Sequence, residues 1–203
     1  STRASRSTYL GVTIRKDLKW CDHVNRTVTK SNRILGMVRR NVKTHNSQLK
    51  TRAYNTLVRP VLEYSATVWD PYTQADINKL QQVQRRAARY VTHRFHNTSS
   101  PTAMLEELGW EDLEARRKKM KLCMFYKIHH HLVNIQMPQY IHPASIRARR
   151  THNLTYFEIP TMTDYYRHSF FPSTVILWNN LPAEVVTAPT LEAFKSHLAH
   201  AHF

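Results

Sequence analysis

The stretch Trp20-Cys21-Asp22-His23-Val24-Asn25-Arg26-Thr27-Val28-Thr29-Lys30-Ser31-Asn32-Arg33-Ile34-Leu35-Gly36-Met37-Val38-Arg39-Arg40-Asn41-Val42 decides the fold. Val24, Val28, Leu35, Val38 and Val42 recur at steps of four and three, with Ser31 in the gap. That is the period of a helix with one buried stripe. Arg26, Lys30, Arg33, Arg39, Arg40 and Lys43 fall mostly off the stripe, so the other face carries concentrated positive charge. Working outward, Asn46 or Ser47 caps a second helix, with Leu49, Ala53, Leu57, Val61, Tyr64 and Val68 as its apolar face. Pro60 lacks an N–H and should kink or split this helix, and Asp70-Pro71 ends it. A third helix is expected over 75–92, with Ile77, Leu80, Val83, Ala87 and Val91 inward and Arg85, Arg86 and Arg89 on its surface. Ser100-Pro101 opens a short fourth helix that Gly109 closes. A fifth is expected over 112–133, with acids at its positive end.

The flanks read differently. Before the first helix, Leu10, Val12 and Ile14 alternate with Gly11 and Thr13, as in a short strand. A lone strand leaves its backbone groups unpaired, so its partners are expected upstream. After Pro138, prolines 138, 143, 160, 172, 182 and 189 break long helices. Leu154–Ile159 reads as a strand, Ser173–Trp178 as a strand or a turn of helix, and Thr190 as the cap of a last helix. The expected architecture is mainly α. Residues 1–14 are expected to be the strand end of a truncated domain, 15–135 a helical bundle, and 136–203 a smaller C-terminal lobe of short strands and helices. With only three glycines, the chain has little material for a β-rich fold.

Charge is the strongest compositional fact. Thirty Lys+Arg face 14 Asp+Glu, a net charge of +16, which implies a polyanionic partner. Residues 1–45 hold 11 basic and 2 acidic residues, residues 46–100 hold 8 and 3, and residues 101–203 hold 11 and 9. Contact with nucleic acid is therefore expected in the first hundred residues. No apolar run is long enough to cross a bilayer, and no membrane partner is expected. Cys21 and Cys123 are far apart and fit a reduced, intracellular chain, nuclear and cytoplasmic. The chain opens on serine and reads as a piece of a longer protein.

Four phrases stand in order along the chain. They are Tyr9-Leu10-Gly11-Val12 running into Leu18-Lys19-Trp20 and His23-Val24; Leu57-Val58-Arg59-Pro60-Val61-Leu62-Glu63-Tyr64 with Val68-Trp69; Leu80-Gln81-Gln82-Val83-Gln84-Arg85-Arg86-Ala87-Ala88-Arg89; and Trp178-Asn179-Asn180-Leu181-Pro182 with Phe194-Lys195. Together they resemble the C-terminal third of the reverse transcriptase polyprotein of non-LTR (LINE-type, Jockey-like) retrotransposons, from about Tyr9 to Leu198. The resemblance implies the thumb and tail of an RNA-directed DNA polymerase. Its partners would be the duplex of RNA template and DNA primer and the missing upstream palm and fingers. The family's paired aspartates lie before the matched region, and the chain has no Asp-Asp pair. No catalytic residue and no cofactor are expected in this fragment, and a divalent metal such as Mg is implied only for the missing palm.

Three clusters are the expected nucleic-acid ligands. Arg85, Arg86 and Arg89 come first, because guanidinium forks pair with phosphate oxygens in fixed geometry. Arg26, Lys30, Arg33, Arg39 and Arg40 form the second. Arg147, Arg149 and Arg150, near Tyr156 and Phe157, form the third, where charge and stacking would hold a strand. Trp20, Trp69, Trp110, Trp178, Tyr64 and Phe194 are expected in packing roles. Two cysteines and no His-Glu-x-x-His give no zinc site, and His129-His130-His131 read as solvated or dipole-facing. The 13 histidines should add charge below about pH 6.5 and tighten polyanion binding. Two other readings stand beside the polymerase: a stand-alone RNA- or DNA-binding module derived from a retroelement, and a helical protein-interaction domain whose charge merely solubilises it.

Overall fold

A computed structural model describes residues 6–96, 99–144 and 152–201. The fold is mainly helical, 59% helix against 5% strand, as the apolar periodicity requires. The elements in order are strands β1 (Arg6–Tyr9) and β2 (Val12–Arg15), then α1 (Cys21–Asn41), α2 (Ser47–Ala53), a π-helical turn (Tyr54–Val58), α3 (Arg59–Glu63), α4 (Gln74–Thr92), α5 (Pro101–Glu107) and α6 (Leu113–His129). Four short helices follow: α7 (Asp164–Arg167), α8 (Phe170–Asn179), α9 (Ala183–Val186) and α10 (Leu191–His200). Two compact units result, one of residues 1–65 and 71–116, the other of 66–70 and 117–203. The division thus falls inside the expected 15–135 bundle, near the start of α6, rather than at residue 135.

In the first unit the expected lone strand is a hairpin. Tyr9 pairs with Val12 across a two-residue turn, and Arg6–Tyr9 runs antiparallel to Val12–Arg15. Leu10 and Gly11 both take positive φ (44° and 81°), as a tight hairpin with right-handed twist demands. The strand has a partner within this chain, because Gly11 serves the turn and not the strand. A two-stranded ribbon is marginal alone. Here α1 holds it: the Thr13 N–H donates to His23 Nδ1 (3.2 Å), and Arg26 donates to the hydroxyls of Thr8 (3.1 Å) and Thr13 (2.5 Å).

Helix α1 buries Val24, Ser31, Leu35 and Val38, with His23 and Thr27 beside them, and packs along α4, the π turn and α3. Asp22 in its first turn and Arg39 and Arg40 in its last oppose the helix dipole favourably. Asn46 caps α2 by accepting from the Leu49 N–H (3.0 Å). The expected apolar face of this helix is displaced by one residue. Leu49, Leu57, Tyr64 and Val68 are exposed, whereas Lys50, Tyr54, Val58 and Leu62 are buried. Both rows step by four, so periodicity cannot choose between them. Tyr54 does: its ring stacks on Trp110 (4.3 Å between centroids) and its hydroxyl donates to Gln84 (3.1 Å). Pro60 has its expected effect through the π turn, where the Arg59 N–H reaches back to the Tyr54 carbonyl. The helix ends at Glu63, earlier than expected, and Ser65 takes φ 55°.

Helix α4 buries Leu80, Val83, Ala87 and Val91, as its pattern predicts. It also buries two glutamines of the third phrase. Gln81 accepts from the Leu113 N–H (3.1 Å) and donates to Asp112, while Gln84 donates to the Glu111 carbonyl (2.9 Å). They staple the chain ahead of α6. Ser100 caps α5 through its hydroxyl, and Gly109 follows that helix at φ 63°. The half-buried guanidinium of Arg116 grips Glu63 with two hydrogen bonds, one of them 3.1 Å.

The second unit has its own core of Leu122, Phe125, Tyr126, Ile141, Tyr156, Val175, Trp178, Val186, Phe194 and Leu198. Trp178 and Phe194 are fully buried and stack 6.0 Å apart, so the fourth phrase does lock this unit. The expected strand at Leu154–Ile159 is a single bridge between Pro143 and Tyr156. The side-chain amide of Asn179 replaces a strand neighbour, accepting from the Tyr156 N–H (2.9 Å) and donating to its carbonyl (2.8 Å). Ser173–Trp178 is helical, within α8, and Thr190 caps α10 (3.1 Å to the Ala193 N–H). Asp70 lies between two buried cations, Arg117 (2.8 Å) and Lys121 (2.6 Å).

Candidate nucleic-acid interface

The basic residues divide by partner. Arg15, Arg59, Lys79, Arg94, Arg116, Arg117 and Lys121 sit within ion-pair distance of a carboxylate. Arg26, Lys30, Arg33, Arg39 and Arg40 on α1, and Arg85, Arg86 and Arg89 on α4, have no ion-pair partner among the described residues. The cause is in the sequence: α1 contains one acid, Asp22, which pairs with Arg15, and α4 contains one, Asp76, which pairs with Lys79.

Their geometry follows from helical spacing. Arg26, Arg33 and Arg40 are seven residues apart, so they line one outward ridge of α1. All three are exposed, as are Lys30 and Arg39. Asn25 and Asn32 form a parallel row that meets α4: Lys79 donates to Asn25 and Arg86 to Asn32, each at 3.1 Å. The structure therefore brings the first two clusters onto neighbouring helices of one unit. Arg85 and Arg89 are half-buried one turn apart, and the Nε of each is shielded with no hydrogen-bond partner among the described residues. Their guanidinium groups keep unused donors, which suits an oxyanion ligand. Arg26 is partly committed to the hairpin through Thr8 and Thr13. Arg147, Arg149 and Arg150 lie outside the described residues.

Two features were not foreseen. One is an open groove of about 920 Å³ on the hairpin side of α1, into which Arg26, Lys30 and Arg33 face. The other is Tyr64, expected in the core but 55% exposed, which forms part of that groove. The signal in the sequence was the Leu10-Gly11 turn, which ends the strand early and brings the hairpin tip to Tyr64. The Tyr64 hydroxyl donates to the Leu10 carbonyl at 3.1 Å.

Histidine protonation is also less available than the count suggests. His23 is neutral down to about pH 4, because burial and the nearby Arg26 charge oppose its cation. Burial likewise lowers His129, His130 and His168. Of the two expectations for His129, solvated or dipole-facing, the first does not hold, since it is half-buried and bonds the Tyr156 hydroxyl at 2.6 Å. Both cysteines are free thiols, and burial raises that of Cys123. Among the described residues no cluster of three His, Cys, Asp or Glu is placed to hold a metal ion, and no helix is long and apolar enough to cross a membrane.

No protein-family model matches the chain, and neither a curated protein nor a solved structure matches it.

Proposed function

We propose that this chain is the nucleic-acid-gripping thumb and tail of a retrotransposon-type RNA-directed DNA polymerase, holding a template–primer duplex through α1 and α4. One observation carries the reading: eight cations on two packed helices have no ion-pair partner among the described residues, because the single acid of each helix, Asp22 or Asp76, is taken by another cation. Phosphate contacts carry no base identity, so binding should depend on charge and backbone geometry more than on sequence. The polymerase part of the proposal rests on the four phrases and their order. The gripping part rests on the surface alone, and it holds equally for a stand-alone binding module.

The test is anisotropy titration of the full chain with an RNA·DNA hybrid duplex over a salt series. Steep weakening with salt is expected. Replacing Arg85, Arg86 and Arg89 together with glutamine should reduce the log–log salt slope by about 2 to 3, near 0.9 for each phosphate no longer neutralised. A slope unchanged by the triple variant removes α4 from the interface. Salt-insensitive binding, or none, favours the protein-interaction reading.

A further inference from the structure

Arg85 and Arg89 stand four residues apart on α4, so their side chains rise from one face with Cβ atoms about 5–6 Å apart. The same row begins at Gln81, which is buried and tied to Asp112 and the Leu113 N–H. Ala88, between the two arginines in sequence, is buried with Met104 and Leu105 of α5. The row thus leaves the core beside α5, and both arginines are half-buried. Arg86 is the contrast, exposed and donating to Asn32. The cations of α1 are exposed as well. Arg85 and Arg89 instead hide Nε from solvent, without a hydrogen-bond partner among the described residues. The acids of α5 do not answer them. Glu107 pairs with Arg94, and Glu106 is exposed with no ion pair among the described residues.

Two like charges one turn apart repel, and each shielded Nε–H has given up its water without replacement. The free protein bears both costs. Shielded stems also leave each guanidinium less rotamer freedom to lose on binding, so the forks are set before a ligand arrives. A group with negative charge and several acceptor oxygens, placed across both forks, offsets the repulsion and takes their unused donors. A phosphate has that form. A carboxylate, with two oxygens, fills a single fork.

We propose that Arg85 and Arg89 together form one anchor for a single backbone phosphate, while the exposed cations of α1 supply general attraction. The inference rests on the nucleic-acid reading above and narrows it. What the anchor uses is the fork geometry of arginine, which lysine lacks although it keeps the charge.

The experiment uses the full chain with a fluorescent RNA·DNA hybrid duplex and, in nitrogen-detected NMR, with inorganic phosphate. Arg85→Lys with Arg89→Lys should weaken duplex binding about tenfold at fixed salt, the loss of one charge-assisted hydrogen bond. The log–log salt slope should stay within about 0.5 of wild type, because no charge is removed. The shielded Nε–H groups should give two resonances, each assigned by its loss in a single lysine variant. Inorganic phosphate should shift both with one common midpoint, a readout that a merely structural pair would not give. Two different midpoints, or no shift, overturn the shared anchor. Duplex binding by the lysine pair equal to wild type also overturns it and leaves the proposed function standing. Phosphate shifts that persist beside that result reassign the pair to a free phosphorylated ligand. Absence of any duplex binding by the wild type overturns both readings.

Discussion

Replacing Asp70 with asparagine should unfold the second unit far more readily than any surface change. Asp70 is the shared carboxylate of Arg117 and Lys121, whose side chains are 1% and 4% exposed. The site already holds two cations for one anion, and one terminal nitrogen of Arg117 has no partner among the described residues. Lys121 has a second acceptor in the Ser173 hydroxyl at 3.1 Å. Removing one partner of a buried ion pair costs about 3–5 kcal/mol, because the remaining charge stays desolvated. Asp70 is 19% exposed, so some water reaches the site, and the lower figure of about 3 kcal/mol is expected. For a unit of this size that corresponds to a fall in melting temperature of roughly 12–24 °C. Trp69 and Trp178 are both fully buried in the same unit, so tryptophan fluorescence during urea unfolding reads the loss. Replacing all three residues with apolar ones (Asp70→Leu, Arg117→Met and Lys121→Met together) should restore stability to within about 1 kcal/mol, since an apolar substitute of similar volume carries no desolvation cost. A loss below about 1 kcal/mol for Asp70→Asn would refute the view that this carboxylate compensates two buried charges.

Stability should also fall in acid through His23. Its folded pKa of about 4 lies below the ordinary 6.5, so the folded state binds fewer protons than the unfolded state between those values. The contribution is complete above pH 6.5 and is lost as pH falls toward 4. The full shift is worth about 3 kcal/mol, and about 2 after screening at the open groove. Urea midpoints of wild type and His23→Gln from pH 7 to 4 should converge in that window, and parallel curves would exclude it. Lys50 is buried with no carboxylate partner among the described residues, held by the Tyr90 carbonyl (3.3 Å), by His93 and by the Tyr90 ring. Its pKa is lowered by burial, so wild-type stability should rise with pH between that lowered value and 10.5. Lys50→Met should lack this rise and cost no more than about 1 kcal/mol at neutral pH by thermal melting.

Helices with one unambiguous stripe were legible. The spacing in α1 and α4 placed Val24, Leu35, Val38, Leu80, Val83, Ala87 and Val91 in the core, with Val28, Val42 and Ile77 only half-buried, and the caps Asn46, Ser100 and Thr190 marked real helix starts. The second helix was not, because two rows at the same spacing compete and the winning row contains Lys50. A lysine in a buried row is invisible to hydrophobic pattern. Leu154–Ile159 has the composition of a strand, yet its neighbour is a side chain, Asn179, from 23 residues downstream of Tyr156. No local rule anticipates that. The cationic faces of α1 and α4 could be read as exposed, but not as adjacent. Adjacency needed the Lys79–Asn25 and Arg86–Asn32 contacts. Tyr64 was misplaced for the same reason as the second helix, since its exposure follows from the row that wins.

The distribution of carboxylates supports the proposal that the basic face is a ligand surface more than a solubilising coat. A coat needs charge anywhere on the exterior, and acids interspersed with bases serve it as well. Here five acids of the first unit compensate particular cations: Asp17 and Asp22 at Arg15, Glu63 at Arg59 and Arg116, Asp76 at Lys79, Glu107 at Arg94. Each pair ties a loop or a helix end. The outward ridge of α1 and the Arg85, Arg86 and Arg89 stretch of α4 receive none, although like charges three residues apart on a helix repel and lower its stability. That destabilisation is tolerable only if the helices are secured otherwise, and they are, by the buried stripe and by the Gln81 and Gln84 staples. On the proposed function, a bound phosphate backbone would relieve the same repulsion, and the field that strains the free protein would be the field that draws in its ligand.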